Sequence, residues 1–312
     1  MPDGSRLRDA DRLAQIRMLA LPPAWTNVWI CCDARGHLQA TGYDTRGRKQ
    51  YRYNSHWRQV CDEVKYHELI SFGDCLPRLR RRIQTDLASK SLTKTKVLAT
   101  VITVMERTGV RVGNSRYVEE NNSYGLTTLL DRHARFRGSS VEFSFRGKGG
   151  KPYQIRLRDR RLAAIVQRCR DIPGQRLFQY LDTDGNHQSI SSTDVNRYLR
   201  TITGANFTAK TFRTWIATVM AAELLAERPP EHSKTKNVRR VNLVLRQVAD
   251  RLGNTMAICR KSYVDPRVID AYLDGTLHAA FGDASSSPGL SRAESCLLHL
   301  LERRSAQYRI AA

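Results

Sequence analysis

A few side chains along this chain have the types that handle an anion. Arg111 lies in Arg107-Thr108-Gly109-Val110-Arg111-Val112-Gly113-Asn114. A guanidinium flanked by valines and glycines is poorly placed for a free surface role, so it should be semi-buried with a specific anionic partner, an internal carboxylate or a bound group. Lys210 and Arg213, three residues apart in a helical pattern, should point to the same side of that helix. Tyr263 follows Arg260-Lys261-Ser262, and cations beside a phenol favour its phenolate, the nucleophilic form. Upstream of it, Asn254 stands where one helix ends and reads as a cap. Lys148 and Lys151 flank the glycines of Gly147-Lys148-Gly149-Gly150-Lys151.

Other chemistries lack their residues. The Gly147 to Lys151 stretch does not have the spacing of a phosphate loop and sits between two strands. Asp182-Thr183-Asp184-Gly185-Asn186 places its glycine one residue early for a calcium loop, and its twelfth position is Thr193 where a bidentate Glu is needed; an Asx-rich turn is the expectation. Carboxylates do not cluster as a two-metal nuclease requires. Seven cysteines, Cys31, Cys32, Cys61, Cys75, Cys169, Cys259 and Cys296, include no C-x-x-C pair and read as reduced, mostly buried thiols.

The elements that must position these groups fall into two styles. Residues 1–75 form a small β-rich domain: a short helix near 12–19 stopped by Pro22-Pro23, strands at 28–30 and 37–43, and a third at 48–53. Alternation in that third strand puts Tyr51 and Tyr53 on one face and Arg48, Gln50 and Arg52 on the other. Residues 76–92, with four arginines in Leu76-Pro77-Arg78-Leu79-Arg80-Arg81-Arg82, read as a basic hinge or linker. Residues 93–282 are mainly helical, with a hairpin in which Val141, Phe143 and Phe145 alternate up to the glycine turn and Tyr153, Ile155 and Leu157 away from it. Helices are expected at 162–169, 193–201, 208–227 and 238–252. The pair on either side of Gly204-Ala205-Asn206 admits a helix-turn-helix, but the stripe Phe212, Trp215, Ile216, Val219, Met220 favours burial in a helical core. Residues 283–312 read as a linker, Ala284 to Gly289, and a tail.

The composition sets the partner class. The 312 residues carry 52 Lys+Arg against 30 Asp+Glu, a formal charge of +22, which attracts a polyanion, and nucleic acid is the commonest one in cells. With 41% hydrophobic residues the chain is not disordered, and it has neither a run long enough to span a membrane nor the apolar core of a signal peptide in its first residues. A soluble, cytoplasmic protein is expected.

In order and approximate spacing, Arg111-Val112-Gly113-Asn114, Phe145-Arg146-Gly147-Lys148-Gly149, Thr208-Ala209-Lys210-Thr211-Phe212-Arg213-Thr214, and Leu252-Gly253-Asn254-Thr255 with Arg260-Lys261-Ser262-Tyr263 resemble the motifs of the type IB DNA topoisomerases of compact poxvirus and bacterial form. The stretch from Leu21-Pro22-Pro23-Ala24-Trp25 through Gly42-Tyr43-Asp44-Thr45-Arg46-Gly47-Arg48-Lys49-Gln50-Tyr51 is similar to that family's small β-rich domain. The resemblance implies an α+β chain folded as a C-shaped clamp, acting as a monomer on duplex DNA without metal, ATP, other cofactor or small-molecule substrate. Tyr263 would be the nucleophile forming a 3′-phosphotyrosyl bond. Arg111 and Arg213 would clamp the nonbridging oxygens, and Lys148 would protonate the 5′-oxygen. Asn254 stands where viral and eukaryotic members carry histidine, and it can donate a hydrogen bond but not exchange protons near neutral pH. DNA contacts are expected from Lys210 near the site, from Arg48, Lys49, Tyr51 and Tyr53 in the small domain, from Arg78 and Arg80 at the hinge, and from Lys151. A tyrosine recombinase would share the constellation, and a non-enzymatic basic DNA-binding protein would need only the helix-turn-helix.

Overall fold

The computed structural model describes residues 5–283 and 286–311, excepting the side chains of 58–64, 283 and 307–311. The side chain of Cys61 and residues Ala284-Ser285 of the expected linker lie outside the described residues. The chain forms two compact units, Met1–His67 and Glu68–Ala312.

In the first unit, helix α1 (Ala10–Met18) starts at Asp9, whose carboxylate accepts the Arg12 N–H at 3.0 Å. Strands β1 (Thr26–Ile30), β2 (Leu38–Tyr43) and β3 (Lys49–Tyr53) make one antiparallel sheet in that order. Trp29, Thr41 and Tyr51 lie opposite one another across the three strands, and Tyr43 opposes Lys49. As the alternation predicts, Tyr51 and Tyr53 share a face, stacked at 6.2 Å, with Lys49 5.9 Å from the Tyr51 ring centroid. The other face holds buried Ala40 and Gly42, where a Cβ would press on the Trp25 and Val28 side chains. Arg52 points to that side and donates to the carbonyls of Leu19 and Ala20, while Arg48 pairs with Asp44 at 2.7 Å.

Helix α2 (Ser55–Ala88) begins in this unit and ends in the second. It corrects the expected hinge at 76–92, since the chain is helical up to Ala88. Pro77 and the arginines favour a break, yet Leu69, Phe72, Leu76, Leu79, Ile83 and Leu87 are all buried at spacings of three and four, and that stripe outweighs the lost hydrogen bond at proline. Arg80, expected at DNA, instead pairs with Glu106 at 2.6 Å and Glu294 at 2.7 Å.

The second unit is built around α3 (Lys94–Thr108), capped by Thr93 and ended by Gly109 at φ 69°. After α4 (Ser115–Asn121) come β4 (Ala134–Arg137), β5 (Ser140–Arg146) and β6 (Pro152–Arg158) in one antiparallel sheet. The expected hairpin is β5–β6, and β4 adds to it a strand that the sequence reading does not contain. Helix α5 (Arg160–Arg170) is followed by the hairpin β7 (Gln179–Leu181) and β8 (His187–Ser189), closed by Asp182, whose carboxylate accepts the N–H groups of Asp184 and Asn186: an Asx turn, as expected.

Helices α6 (Ser192–Thr203), α7 (Ala209–Ala226), α8 (Lys234–Leu252), α9 (Met256–Ser262), α10 (Pro266–Leu273), α11 (Thr276–Asp283) and α12 (Arg292–Ala311) complete the unit. Helix α7 runs through the core. Phe212 and Trp215 pack edge-on against Phe72 at 5.2 and 5.9 Å, and α3, α8, α10, α11 and α12 surround them. Most of the helix is covered, with Lys210 and Glu223 exposed and Ile216, Val219 and Met220 half-buried, which favours the core reading of this helix pair over the helix-turn-helix. The tail is no appendage, because α12 buries Cys296, Leu297, Leu300 and Leu301. Of the cysteines described, Cys169, Cys259 and Cys296 are buried, Cys31 and Cys75 half-buried and Cys32 exposed, so burial is less general than expected.

Glu294 ties α12 to this core, accepting from Trp215 Nε1 at 3.1 Å and from Arg80. Burial pushes its carboxyl up, but the Arg80 hydrogen bond and charge, with the Ser291 N–H, hold it below the usual range. A depressed carboxyl stabilises the fold above its unfolded pKa, and that contribution is lost as pH falls through the folded one. Glu294→Gln should therefore cost about 3 kcal/mol near neutral pH. In denaturant titrations the gap to the parent should narrow below about pH 4.

Candidate active site

The last turn of α8 is the platform. A helix C-terminus leaves carbonyls without helical partners and carries roughly half a negative charge. Here those carbonyls receive cations and a phenol. The Leu252 carbonyl accepts from Arg213 Nη2 at 3.0 Å and from the Tyr153 hydroxyl at 3.2 Å. Gly253 O accepts from Arg111 Nη1 at 3.4 Å, and Asn254 O from Lys151 Nζ at 2.7 Å. Gly253 itself sits at φ 61°, and a Cβ there would overlap the Tyr153 hydroxyl, so glycine is required on two counts.

Each arm reaches this platform for a local reason. Gly109 ends α3 in the left-handed conformation and turns the chain into an extended segment that carries Arg111 across the end of α8. Thr208 caps α7 through the Thr211 N–H, which starts that helix in the register that turns Arg213 inward, 3% exposed. The expectation that Lys210 and Arg213 share a polar face is corrected, since Lys210 is exposed and Arg213 is buried. Asn254 is not a cap: Gly253 ends α8 and Thr255 caps α9 through the Ile258 N–H.

Asn254 is 4% exposed. Its Oδ1 accepts from Arg111 Nη2, which orients the amide and leaves Nδ2 buried without a partner. Arg213 uses Nη2 on the α8 end, and its Nε and Nη1 are also buried without hydrogen-bond partners. Unpaired buried donors of this kind are costly in a native fold. Two of the three sit on the guanidinium whose carbon lies 5.3 Å from the Tyr263 ring centroid, and the third on the amide that Arg111 orients. No carboxylate hydrogen-bonds to Arg111 or Arg213 among the described residues, so the internal-carboxylate alternative for Arg111 falls away and the cluster keeps its positive charge.

The charges act on the phenol. Burial pushes the Tyr263 hydroxyl up, but the Arg213 and Arg111 charges, with a smaller effect from Lys210, outweigh it and bring it below the ordinary tyrosine value. The sequence neighbours Arg260 and Lys261, invoked for that effect, are not its main cause. Burial lowers Arg213 and the like charge of Arg111 adds to this; an arginine so lowered still holds its proton at neutral pH.

Lys148 stands apart from this group, exposed in the short turn Lys148–Gly150 with its ammonium 5.6 Å from the Tyr117 ring centroid. Arg78 is exposed and donates to the Ile202 carbonyl. Sequence alternation marks Tyr153 as a strand residue and nothing more. It stacks on Phe145 with ring centroids 5.0 Å apart, and its oxygen lies 3.3 Å from Arg111 Nη1, so it joins the hairpin to Arg111 and to the Leu252 carbonyl that Arg213 also uses. A tyrosine on the packed face of a strand needs a partner for its hydroxyl, and that is the signal by which it could have been found.

Among the described residues no three His, Cys, Asp or Glu side chains come together as metal ligands, and no helix is long and apolar enough to cross a membrane. Residues 54–276 match the model for the catalytic core of eukaryotic DNA topoisomerase I, and residues 1–44 that for the N-terminal domain of bacterial DNA topoisomerase IB. The chain is 32% identical to DNA topoisomerase 1B of Acanthamoeba polyphaga mimivirus, over 85% of this chain and 80% of that one. It is 22% identical to the vaccinia virus (strain Copenhagen) DNA topoisomerase 1B, over 78% and 74%. The chain belongs to the type IB DNA topoisomerases, enzymes that relax supercoiled duplex DNA through a transient single-strand break.

Proposed function

We propose that Tyr263 is the nucleophile of this reaction and that Arg213, Arg111 and Asn254 form the pocket for the scissile phosphate. The observation that carries this reading is the group of buried donors without acceptors, Arg213 Nε and Nη1 and Asn254 Nδ2, on residues linked through the α8 end and Arg111, with the Arg213 guanidinium carbon 5.3 Å from the Tyr263 ring centroid. Donors preorganised in a dry site stabilise developing negative charge without reorganising, and phosphoryl transfer needs little else beyond alignment.

The Tyr263 phenol loses its proton to water and its oxygen attacks phosphorus. The bond to the 5′-oxygen breaks as Lys148 protonates it. Two guanidiniums and the Asn254 amide neutralise the nonbridging oxygens, the role that metal ions serve in other enzymes. The phosphotyrosyl ester keeps the bond energy, so resealing runs the same steps backwards without ATP or metal. Lys148 stands at the tip of the β5–β6 hairpin beside Gly147, Gly149 and Gly150, and glycines let that turn close on the leaving oxygen. Lys210 is exposed beside the site and takes a neighbouring phosphate.

The exposed sheet face of the first unit, with Lys49, Tyr51 and Tyr53, holds the duplex, and the two units act as the jaws of a C-shaped clamp on a monomer. Arg48 is engaged with Asp44 and contributes less to that surface. Lys151 holds the α8 end in place more than it holds DNA.

Mixing the protein with supercoiled plasmid in EDTA, denaturing, and digesting the trapped species should yield one nucleotide-bearing peptide that contains Tyr263. An adduct on another residue, or none, overturns the assignment.

A further inference from the structure

We propose that Thr218 is the positioning residue of the nucleophile: its buried hydroxyl fixes the backbone on the downstream side of Tyr263 to the helix that carries Arg213. The inference rests on Tyr263 being the nucleophile. Only Tyr263-Val264-Asp265 joins α9 to α10, and the place of the phenol oxygen depends on how that joint is held.

Upstream, α9 holds it. The N–H groups of Tyr263 and Val264 both donate to the Cys259 carbonyl, at 3.0 and 3.1 Å. Tyr263 then leaves the helical conformation, at φ −128° and ψ −27°, so α9 no longer governs its carbonyl or the chain from Asp265 onward. Thr218 takes over at that point. Its Oγ1 lies 3.1 Å from the Tyr263 carbonyl and accepts the Asp265 N–H at 3.2 Å. It is also 2.8 Å from the Thr214 carbonyl, the usual bond of a helical threonine to its preceding turn. One hydroxyl proton serves one carbonyl at a time, but the Asp265 N–H meets the oxygen lone pairs in either state. Thr218 is fully buried, so water cannot replace it.

The far end of the joint is equally fixed. Asp265, fully buried, caps α10 through the Arg267 N–H at 2.9 Å and pairs with the Arg267 guanidinium at 2.6 Å. Helix α7 therefore bears both Arg213, which faces the phosphate, and the hydroxyl that sets where the attacking oxygen stands. A single rigid element fixes the distance between clamp and nucleophile, which gives the fully buried Thr218 hydroxyl a function.

Thr218→Val keeps the shape and removes the hydroxyl, and Thr218→Ser keeps the hydroxyl. Single-turnover cleavage of a duplex whose short cleaved end diffuses away should slow about ten- to a hundredfold in the valine variant. DNA binding, measured by fluorescence anisotropy, should stay within about twofold, and serine should restore cleavage to within about threefold of the parent. The valine profile of cleavage against pH should move to higher pH, because the phenol drifts from Arg213, Arg111 and Lys210. If valine does not fold, alanine gives the same comparison. Parental rate and profile in the hydroxyl-free variant, or a serine variant as slow as valine, overturns the role of Thr218 while leaving the Tyr263 adduct intact. A parent protein that forms no adduct at Tyr263 overturns the underlying reading instead.

Discussion

Tyr263→Phe should relax no supercoiled plasmid above background while binding duplex DNA as the parent does. The substitution removes one oxygen. The ring that lies 5.3 Å from the Arg213 guanidinium remains, so its packing beside α7 should survive and thermal unfolding should change little. What disappears is the oxygen proposed to attack phosphorus, and losing a nucleophile from a preorganised site costs on the order of 10⁶ in rate. Among the described residues no other hydroxyl is grouped with Arg213 and Arg111 in the same way: Tyr153 donates its proton to the Leu252 carbonyl and is stacked on Phe145. Affinity for DNA is spread over many of the 52 Lys and Arg residues, so it should hold within about twofold and keep its salt dependence. Plasmid relaxation in EDTA beside a binding isotherm checks both halves, and relaxation by the variant at the parental rate would remove Tyr263 from the chemistry.

Lys148→Ala should slow cleavage of ordinary DNA by about 10²- to 10⁴-fold, the range of a general acid. The same variant should be far closer to the parent on a substrate with sulfur at the 5′-bridging position. An alkoxide is a far stronger base and a poorer leaving group than a thiolate, which departs with a conjugate-acid pKa near 8.5 and needs no proton. The comparison separates proton donation from electrostatic help, because a merely attractive lysine would be missed equally on both substrates. It also addresses the distance of Lys148 from the phosphate pocket. Its ammonium rests near Tyr117, so a large effect on the oxygen substrate alone would mean that the glycine-rich turn brings it to the leaving group when DNA is bound.

The parts of this molecule that are legible in its residues are those governed by local rules. The β5–β6 hairpin comes from two alternating runs around a glycine turn, α5 and α8 from the helical spans expected at 162–169 and 238–252, and the tyrosine face of β3 from period-two alternation. The parts that mislead depend on partners distant in the chain. Arg80 looks like a DNA contact until Glu106 and Glu294 are brought to it, and residues 76–82 look like a hinge until the core covers one side of α2. Arg213 looks like a surface residue beside Lys210 until α8 closes over it with a carbonyl in the right place.

Residue type and order alone determined that this protein is a basic, two-part, α+β chain, because those properties reside in composition and local periodicity, while the choice of Tyr263 and a handful of cations came from the resemblance of its motifs to a family. Only the tertiary structure decided how the cations are held. They are anchored by the carbonyl end of α8 and not by carboxylates, so they keep the positive charge that a phosphate requires, and the helix that buries Arg213 also grips the backbone of Tyr263. Contacts between residues a hundred or more positions apart, such as Arg111 with Gly253, leave no periodic trace in a chain, since their register is set by packing and not by the residues on either side.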